Sequence, residues 1–196
     1  MSSISEFRGA LLGGGARPNQ FRVELTFPGF VSGGSAAGRA AQFLCDAASL
    51  PGSYVGVARA FYKGREVKLA GERVFQNWQI RIINDNDFKI HDAFEDWSNK
   101  INGVRDNNGL TNPNTYTANM TVHQLDRNGV TVKSYTFVDC WPTQITDIQL
   151  DFGRNDEIEN FTVDLAYSYW EASASSGGIA ASVGINTPIG GVGISV

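Results

Sequence analysis

The segment from Lys63 to Trp97 constrains the fold of this chain more than any other, because it joins two strand patterns, a polar turn and a helix pattern without interruption. Gly64 suits a tight turn, and the alternating residues on either side predict a β-hairpin over 54–62 and 65–70. Another strand is predicted at 77–83. The segment specifies shape, yet its side chains form no pattern that catalysis or ligand binding requires. It is therefore typical of a structural building block.

The period of the apolar residues changes after the turn formers at Asn84–Asp87. Phe94, Trp97 and Ile101 follow at helical spacing and predict one amphipathic helix over 90–102. We expect Phe94 and Trp97 to seal this helix against a sheet, since large apolar side chains on one face of a helix are usually buried.

Strand patterns dominate the rest of the chain. Apolar and polar residues alternate in five more segments, which are predicted as strands at 21–27, around 120–123, and at 130–138, 143–151 and 158–170. A Gly-rich loop at 29–38 and a short helical turn over 41–48 are predicted after the first of these strands. The predicted fold class is therefore mainly β, with two packed antiparallel sheets or a partly closed β-barrel and one flanking α-helix.

Composition predicts one domain with an extension at each end. Residues 1–19 form a Gly-rich, flexible N-terminal arm, residues 20–170 the β domain, and residues 171–196 a tail rich in Gly, Ser and Ala. The start has no apolar core like that of a signal peptide, and no apolar run reaches the length of a membrane span. We therefore expect folding in a reducing cytoplasm, with Cys45 and Cys140 as free, buried thiols.

The net charge and the absence of key side chains from a glycine-rich segment both argue against a phosphate-binding role. The formal net charge is −4 and the isoelectric point is about 5.1, whereas binding to nucleic acid usually requires a basic surface. The segment from Gly33 to Ala40 has the glycine spacing of a phosphate-binding loop. It lacks the Lys and the Ser or Thr that contact the nucleotide in such loops.

The residues that could bind a metal do not form a convincing set. His91 and His123 are the only histidines, and they lie far apart in sequence without a third ligand at a matching spacing. Asp85 and Asp87 resemble the start of a calcium loop, but Lys89 occupies the next alternate ligand position. No catalytic, cofactor-binding or metal-binding residues are predicted.

Seven segments resemble, in order, the tail tube protein of contractile-tailed, T-even-like bacteriophages. They are GARPNQFRVELTFPG, LCDAASLPGS, YKGREVKLAGERVFQNWQIRIINDNDF, AFEDW, QLDRNG, FVDCWPT and the YW that ends the last predicted strand. The resemblance runs from about Gly15 to Trp170, and no single segment is diagnostic by itself. It implies two packed β-sheets with a helix on the side, in a structural virion protein without enzymatic activity or cofactors.

The resemblance also implies an assembly. Six subunits are expected to form a ring in which the sheets join into one continuous β-barrel around a channel. The rings would stack helically into the inner tube of a contractile tail, inside the virion, after assembly in the host cytoplasm. The implied partners are the tail sheath, baseplate and tail terminator proteins. Genomic DNA would pass through the lumen without specific binding.

The sequence offers candidates for the surfaces that such a tube needs. Polar strand faces are expected to line the channel, either Asn119, Thr121 and His123 or, alternatively, Asp147 and Gln149. The Gly-rich loop at 29–38 and both termini are candidates for contacts between rings, because segments that become ordered on docking can keep assembly switched off until it is nucleated.

Three other functions are compatible with parts of the pattern. The first is the inner tube of a phage-like or type VI protein-injection system, which differs only in its cargo. The second is a monomeric β-sandwich that binds a ligand such as carbohydrate through exposed Trp and Tyr side chains. The third, an enzyme, is the weakest, since no nucleophile stands beside a plausible base in a recognisable motif.

Overall fold

The computed structural model describes residues 3–11 and 15–173, and this part of the chain is mainly β. The strands are β1 Phe21–Glu24, β2 Cys45–Ala48, β3 Tyr54–Tyr62, β4 Arg65–Val74, β5 Trp78–Ile83, β6 Ala118–Leu125, β7 Thr131–Ile145, β8 Asn160–Ala166 and β9 Tyr169–Ala172. The helices are α1 Ile4–Ala10, α2 Gly34–Leu44, α3 Lys89–Ile101 and α4 Pro113–Tyr116.

Seven strands form one antiparallel sheet that is folded into two layers by the long strand β7. The order is β1-β6-β7-β8-β5-β2, with β9 also paired to β7. Residues of β7 up to Cys140 pair with β6 and β9, whereas residues from Trp141 onward pair with β8. Asp139 has a φ of 58°, so the strand changes direction where it changes partner. The first layer contains β1, β6, β9 and the start of β7; the second contains β2, β5, β8 and the end of β7.

The core lies between the two layers. Trp78 of the second layer stacks on Phe137 of the first with ring centroids 4.2 Å apart, and both side chains are buried. Every second residue of β5 and β8 is buried, as are Met120 and Val122 of β6, which is the pattern of half-buried strands. The strands are not closed into a barrel within one chain, so the predicted packed sheets are confirmed without closure in the monomer.

Two helices, rather than the predicted single one, flank the sheets. The expected helix is α3, whose buried face carries Ile90, Phe94 and Trp97. Its partner α2 begins at Gly34, inside the segment predicted as a Gly-rich loop, and ends at Leu44, so the predicted helical turn over 41–48 is confirmed only for its first half. The ring of Phe27, which lies after β1, contacts Phe94 and Trp97 with centroids 4.9 and 5.7 Å away. This aromatic cluster fixes the helix pair to the sheet.

Several strand boundaries differ from the sequence prediction. The first strand ends at Glu24 rather than at residue 27, and Cys45–Ala48 is a strand rather than part of a helical turn. The strand predicted at 143–151 is the end of β7, and residues 146–159 form an irregular loop. The strand predicted at 158–170 is interrupted between β8 and β9, since β9 pairs with the opposite layer from β8.

The extensions carry some regular structure. Helix α1 lies within the arm predicted as flexible, and a capping box between Ser3 and Glu6 stabilises its start. None of its residues is buried. Strand β9 continues to Ala172, just past the predicted domain boundary, and the rest of the tail lies outside the described residues. Among the described helices, none is long and apolar enough to cross a membrane.

Candidate assembly surfaces

The hairpin of β3 and β4 forms a separate two-stranded sheet, here called the ribbon. Lys63 and Gly64 have φ angles of 46° and 81°, which is the tight turn expected around Gly64, and it matches the right-handed twist of the strands. In the part of the chain that the structure describes, β3 and β4 pack substantially only against each other. The ribbon therefore projects from the two-layered body.

One face of the ribbon is apolar and uncovered. Cross-strand partners share a face, and the pairs Ala58–Leu69, Ala60–Val67 and Tyr62–Arg65 give the apolar face Ala58, Ala60, Tyr62, Val67 and Leu69. Leu69 keeps 55% of its surface exposed, and Val67 and Tyr62 are also exposed. The sequence pattern indicated half-buried strands, but none of these side chains is buried by the residues that the structure describes. Such a face on a soluble protein indicates contact with another molecule.

The opposite face of the ribbon carries most of its charge. Arg59 and Glu66 form an ion pair of 3.2 Å there, next to Lys68. Because both groups are largely exposed, this pair contributes little to stability. Val57 and Phe61 also lie on this face and are exposed, so it mixes charged and apolar side chains. Among the paired residues of the apolar face between Ala58 and Leu69, by contrast, Arg65 is the one charged residue.

The edges of the seven-stranded sheet are also available. In the described residues, β1 pairs only with β6, and β2 pairs only with β5. Unpaired edge groups on a sheet favour pairing with another chain unless they are covered. Pairing with the edge strands of neighbouring subunits would give these backbone groups hydrogen-bond partners.

Of the two polar faces predicted to line a channel, one lies on a strand. Asn119, Thr121 and His123 alternate with buried residues of β6 and point away from the core. His123 Nδ1 lies 2.7 Å from Ser134 Oγ, and Nε2 lies 3.4 Å from Glu24 Oε1. This forms a continuous polar row across β1, β6 and β7.

The alternative channel set does not form a strand face. Asp147 and Gln149 lie in the irregular loop at 146–159 and contact each other there. The pattern that suggested a strand was wrong because β7 ends at Ile145. A regular row of these side chains is therefore not available within the described fold.

The two histidines have different neighbours. His91 lies on α3, where its Nδ1 is 3.7 Å from Glu95 Oε1 and its ring packs edge-on against Phe161 at 5.0 Å. His91, Asp92 and Glu95 place possible donor atoms within 4.8 Å of one another, but the two carboxylates are exposed on one helix face. Exposed acidic groups at helical spacing are common without a metal.

The residues that resemble calcium-binding and phosphate-binding motifs have structural roles. Asp85 accepts a hydrogen bond of 3.1 Å from the N–H of Lys89, the first residue of α3. Lys89 Nζ also bonds Asp87, which lowers the pKa of that carboxyl and raises the pKa of the ammonium. The glycines between Gly33 and Ala40 belong to the start of α2 rather than to a nucleotide-binding turn.

Cys45 and Cys140 are both free and buried, as the sequence predicted. Burial raises the pKa of each thiol to about 12. A thiol that stays protonated at neutral pH is a poor nucleophile, so these cysteines act as small apolar core residues.

The four tryptophans bear on the carbohydrate-binding alternative. Trp78 and Trp97 are buried, and Trp141 and Trp170 are half-buried. Tyr54 and Tyr62 of the ribbon are, by contrast, exposed. Of the side chains that this alternative needs, the tyrosines are therefore the more open to solvent.

The family comparison identifies the chain. The model of the phage tail tube protein family matches residues 16–173. The chain belongs to this family. Tail tube protein gp19 of Enterobacteria phage T4 is 32% identical over 157 residues, which cover 80% of this chain and 91% of that protein. The tail tube protein of Serratia phage KSP90 is 30% identical over 169 residues, covering 85% and 95%. The resemblance is confirmed, and this phage tail tube protein is a structural component of the virion.

Solved structures show the same fold. A chain in the cryo-EM structure of the anti-feeding prophage baseplate matches with a TM-score of 0.57 and 16% identity, covering 81% of this tail tube protein and 95% of that chain. A chain in the sheath–tube complex of an extracellular contractile injection system gives 0.52 and 14%, covering 89% and 99%. At these identities the likeness concerns fold alone.

Sequence reasoning missed the most exposed apolar surfaces of this tail tube protein. The ribbon face was detected as an alternating pattern, but its burial was assigned to the monomer. Leu150 and Ile158 of the loop at 146–159 were attributed to strands and Phe152 to neither strand, yet all three are exposed. The sequence feature that could have identified this exposed surface is the combination of acidic and large apolar residues in a segment rich in turn formers.

Proposed function

We propose that this tail tube protein closes into rings of six copies, which stack into the inner tube through which the genome leaves the virion. The observation that supports this proposal most directly is the uncovered apolar face of the ribbon. A lone subunit leaves this face in water at a cost of roughly 25 cal/mol for each Å² that could be buried. A ring or stack would bury it against another copy.

Open edges support the same assembly. A ring contact joins two different surfaces of identical subunits, and repetition of that contact by a fixed rotation closes it. Strands β1 and β2 lie at opposite ends of the sheet order and are the edges available to such a contact. The related baseplate structure of the anti-feeding prophage is six-fold symmetrised, which supports the same number of copies here.

The charge of the chain suits a conduit for DNA. Six copies with a formal charge of −4 each would carry about −24 per ring, which disfavours adhesion of a polyanion to the wall. We assign the lumen to the polar row that includes Asn119, Thr121 and His123. Tail sheath, baseplate and tail terminator proteins are the partners that a stacked tube of this kind requires.

Electron microscopy of the purified protein tests the assembly. We expect hollow six-fold rings or tubes, and the Leu69→Asn variant should lose them because it places an amide in the apolar face of the ribbon. Val130→Asn is the matched control, since Val130 is also an exposed apolar residue but lies in the β6–β7 turn. A strictly monomeric wild-type protein at high concentration would overturn the proposal.

A further inference from the structure

Charge is unevenly distributed between the ribbon and the rest of the chain. The ribbon contains five basic and two acidic residues, a net charge of +3. The whole chain carries −4, so the remainder carries −7. A basic ribbon thus projects from an acidic body, and its apolar face is uncovered. A partner surface for this ribbon should combine negative charge with exposed apolar side chains.

The loop at 146–159, here called the acidic loop, has both properties. It contains five acidic residues and one basic residue, a net charge of −4. Phe152 is fully exposed at 105%, and Leu150 and Ile158 are also exposed. Large apolar side chains held in solvent by a short, charged loop are typical of a surface that becomes covered on association.

Among the described residues of one subunit, neither the ribbon nor the acidic loop has its apolar side chains covered. Leu69 and Phe152 remain exposed in the same subunit, at 55% and 105%. Pairing of like surfaces is disfavoured, because two ribbons would bring together charges of the same sign and so would two acidic loops. Pairing of unlike surfaces brings opposite charges together and covers apolar groups on both sides.

We propose that the ribbon of one copy docks on the acidic loop of a neighbouring copy. The contact rests on the proposed tube and specifies one of its joints. It is heterologous, since each subunit offers a ribbon on one surface and an acidic loop on another, so it can be repeated around a ring or along a stack. The apolar face of the ribbon covers Leu150, Phe152 and Ile158, while Arg65, which shares that face, and Lys63 of the turn lie near the carboxylates of the loop.

Cross-linking between differently tagged copies tests the contact directly. One copy carries Leu69→Cys and the other Phe152→Cys, and assembled material is treated with a short bis-maleimide. The native thiols are buried and protonated, with pKa values raised to about 12, so the introduced cysteines should react selectively. We expect a product that contains both tags, and little product when every copy carries the same single substitution.

The outcomes separate this inference from the proposed function. Rings or tubes that form normally but give no mixed product, or mainly ribbon-to-ribbon product, overturn the docking and leave the tube intact. Absence of any ring or tube from the wild-type protein overturns the tube and the docking with it.

Charge reversal provides a second test. The Arg65→Glu, Lys63→Glu variant should need at least about a tenfold higher protein concentration to assemble, because it opposes like charges at the joint. Lys100→Glu with Arg127→Glu is the control, since it changes the net charge equally outside the ribbon. Adding Asp147→Lys and Asp156→Lys to the ribbon variant should restore assembly. Equal loss in ribbon variant and control, or no restoration, would contradict the docking.

Discussion

At the scale of single residues, Trp97 joins α3 to the rest of the fold. Its side chain is fully buried, and its Nε1 donates a hydrogen bond of 2.7 Å to the carbonyl oxygen of Tyr116. We expect Trp97→Ala to lower the free energy of unfolding by about 3–5 kcal/mol, since it leaves a large cavity and an unpaired carbonyl. Denaturant unfolding of the unassembled protein measures this loss.

An exposed aromatic residue supplies the control for Trp97. Phe152→Ala removes a ring of similar size that makes no buried contact within one subunit. Its effect on unfolding should stay within about 0.5 kcal/mol. Similar losses for both substitutions would show that the Trp97 effect does not come from its place between α3 and the sheet.

At the scale of elements, α2 depends on a glycine that permits close approach. A Cβ at Gly38 would lie 2.5 Å from the carbonyl oxygen of Leu25, which is backbone and cannot move aside easily. Alanine normally favours a helix over glycine by about 1 kcal/mol. We nevertheless expect Gly38→Ala to destabilise the fold by about 1–3 kcal/mol, as overpacking does, in thermal or denaturant unfolding.

Gly9 in α1 offers a matched substitution in open space. A Cβ there would meet nothing within 4 Å. Gly9→Ala should therefore leave global unfolding unchanged and slightly raise the helicity of α1. A Gly38→Ala variant as stable as Gly9→Ala would contradict the close packing of α2 on the chain beyond β1.

The same glycines explain why the sequence predicted one helix instead of two. Gly33, Gly34 and Gly38 give their segment the composition of a loop, and local propensity argues against a helix there. Gly34 and Gly38 leave room for Phe27 and the backbone of Leu25, which come close only in the folded chain, whereas Gly33 has a φ of 70°. By contrast, α3 and the hairpin turn at Gly64 were predictable because their signals are local.

Other differences also come from partners distant in sequence. The pattern of β7 continues through Asp139, and only the pairing with different strands on each side reveals the bend. For the assembly surfaces, alternation along the ribbon predicted one apolar face, which the structure has and leaves exposed. The pattern could not indicate this exposure, since the same apolar alternation is compatible with a core and with an interface.

At the scale of the whole molecule, the position of the lumen decides how charge affects genome release. Thr121 lies in the polar row of the first layer, opposite Thr136 with their hydroxyl oxygens 3.3 Å apart. If this row lines the channel, Thr121→Lys places a ring of cations in the path of DNA. Each cation near a phosphate adds an attraction that must be broken as the chain passes.

We therefore expect virions with Thr121→Lys tubes to release DNA more slowly, and the delay should shrink as salt concentration rises, because salt screens the attraction. Dye fluorescence after triggered ejection measures the rate. Thr162→Lys is the control, since Thr162 is a half-buried threonine of β8 in the second layer. Only cations that face the channel can retain the DNA. Slow release from Thr162→Lys virions, together with normal release from Thr121→Lys virions, would therefore show that the second layer lines the lumen.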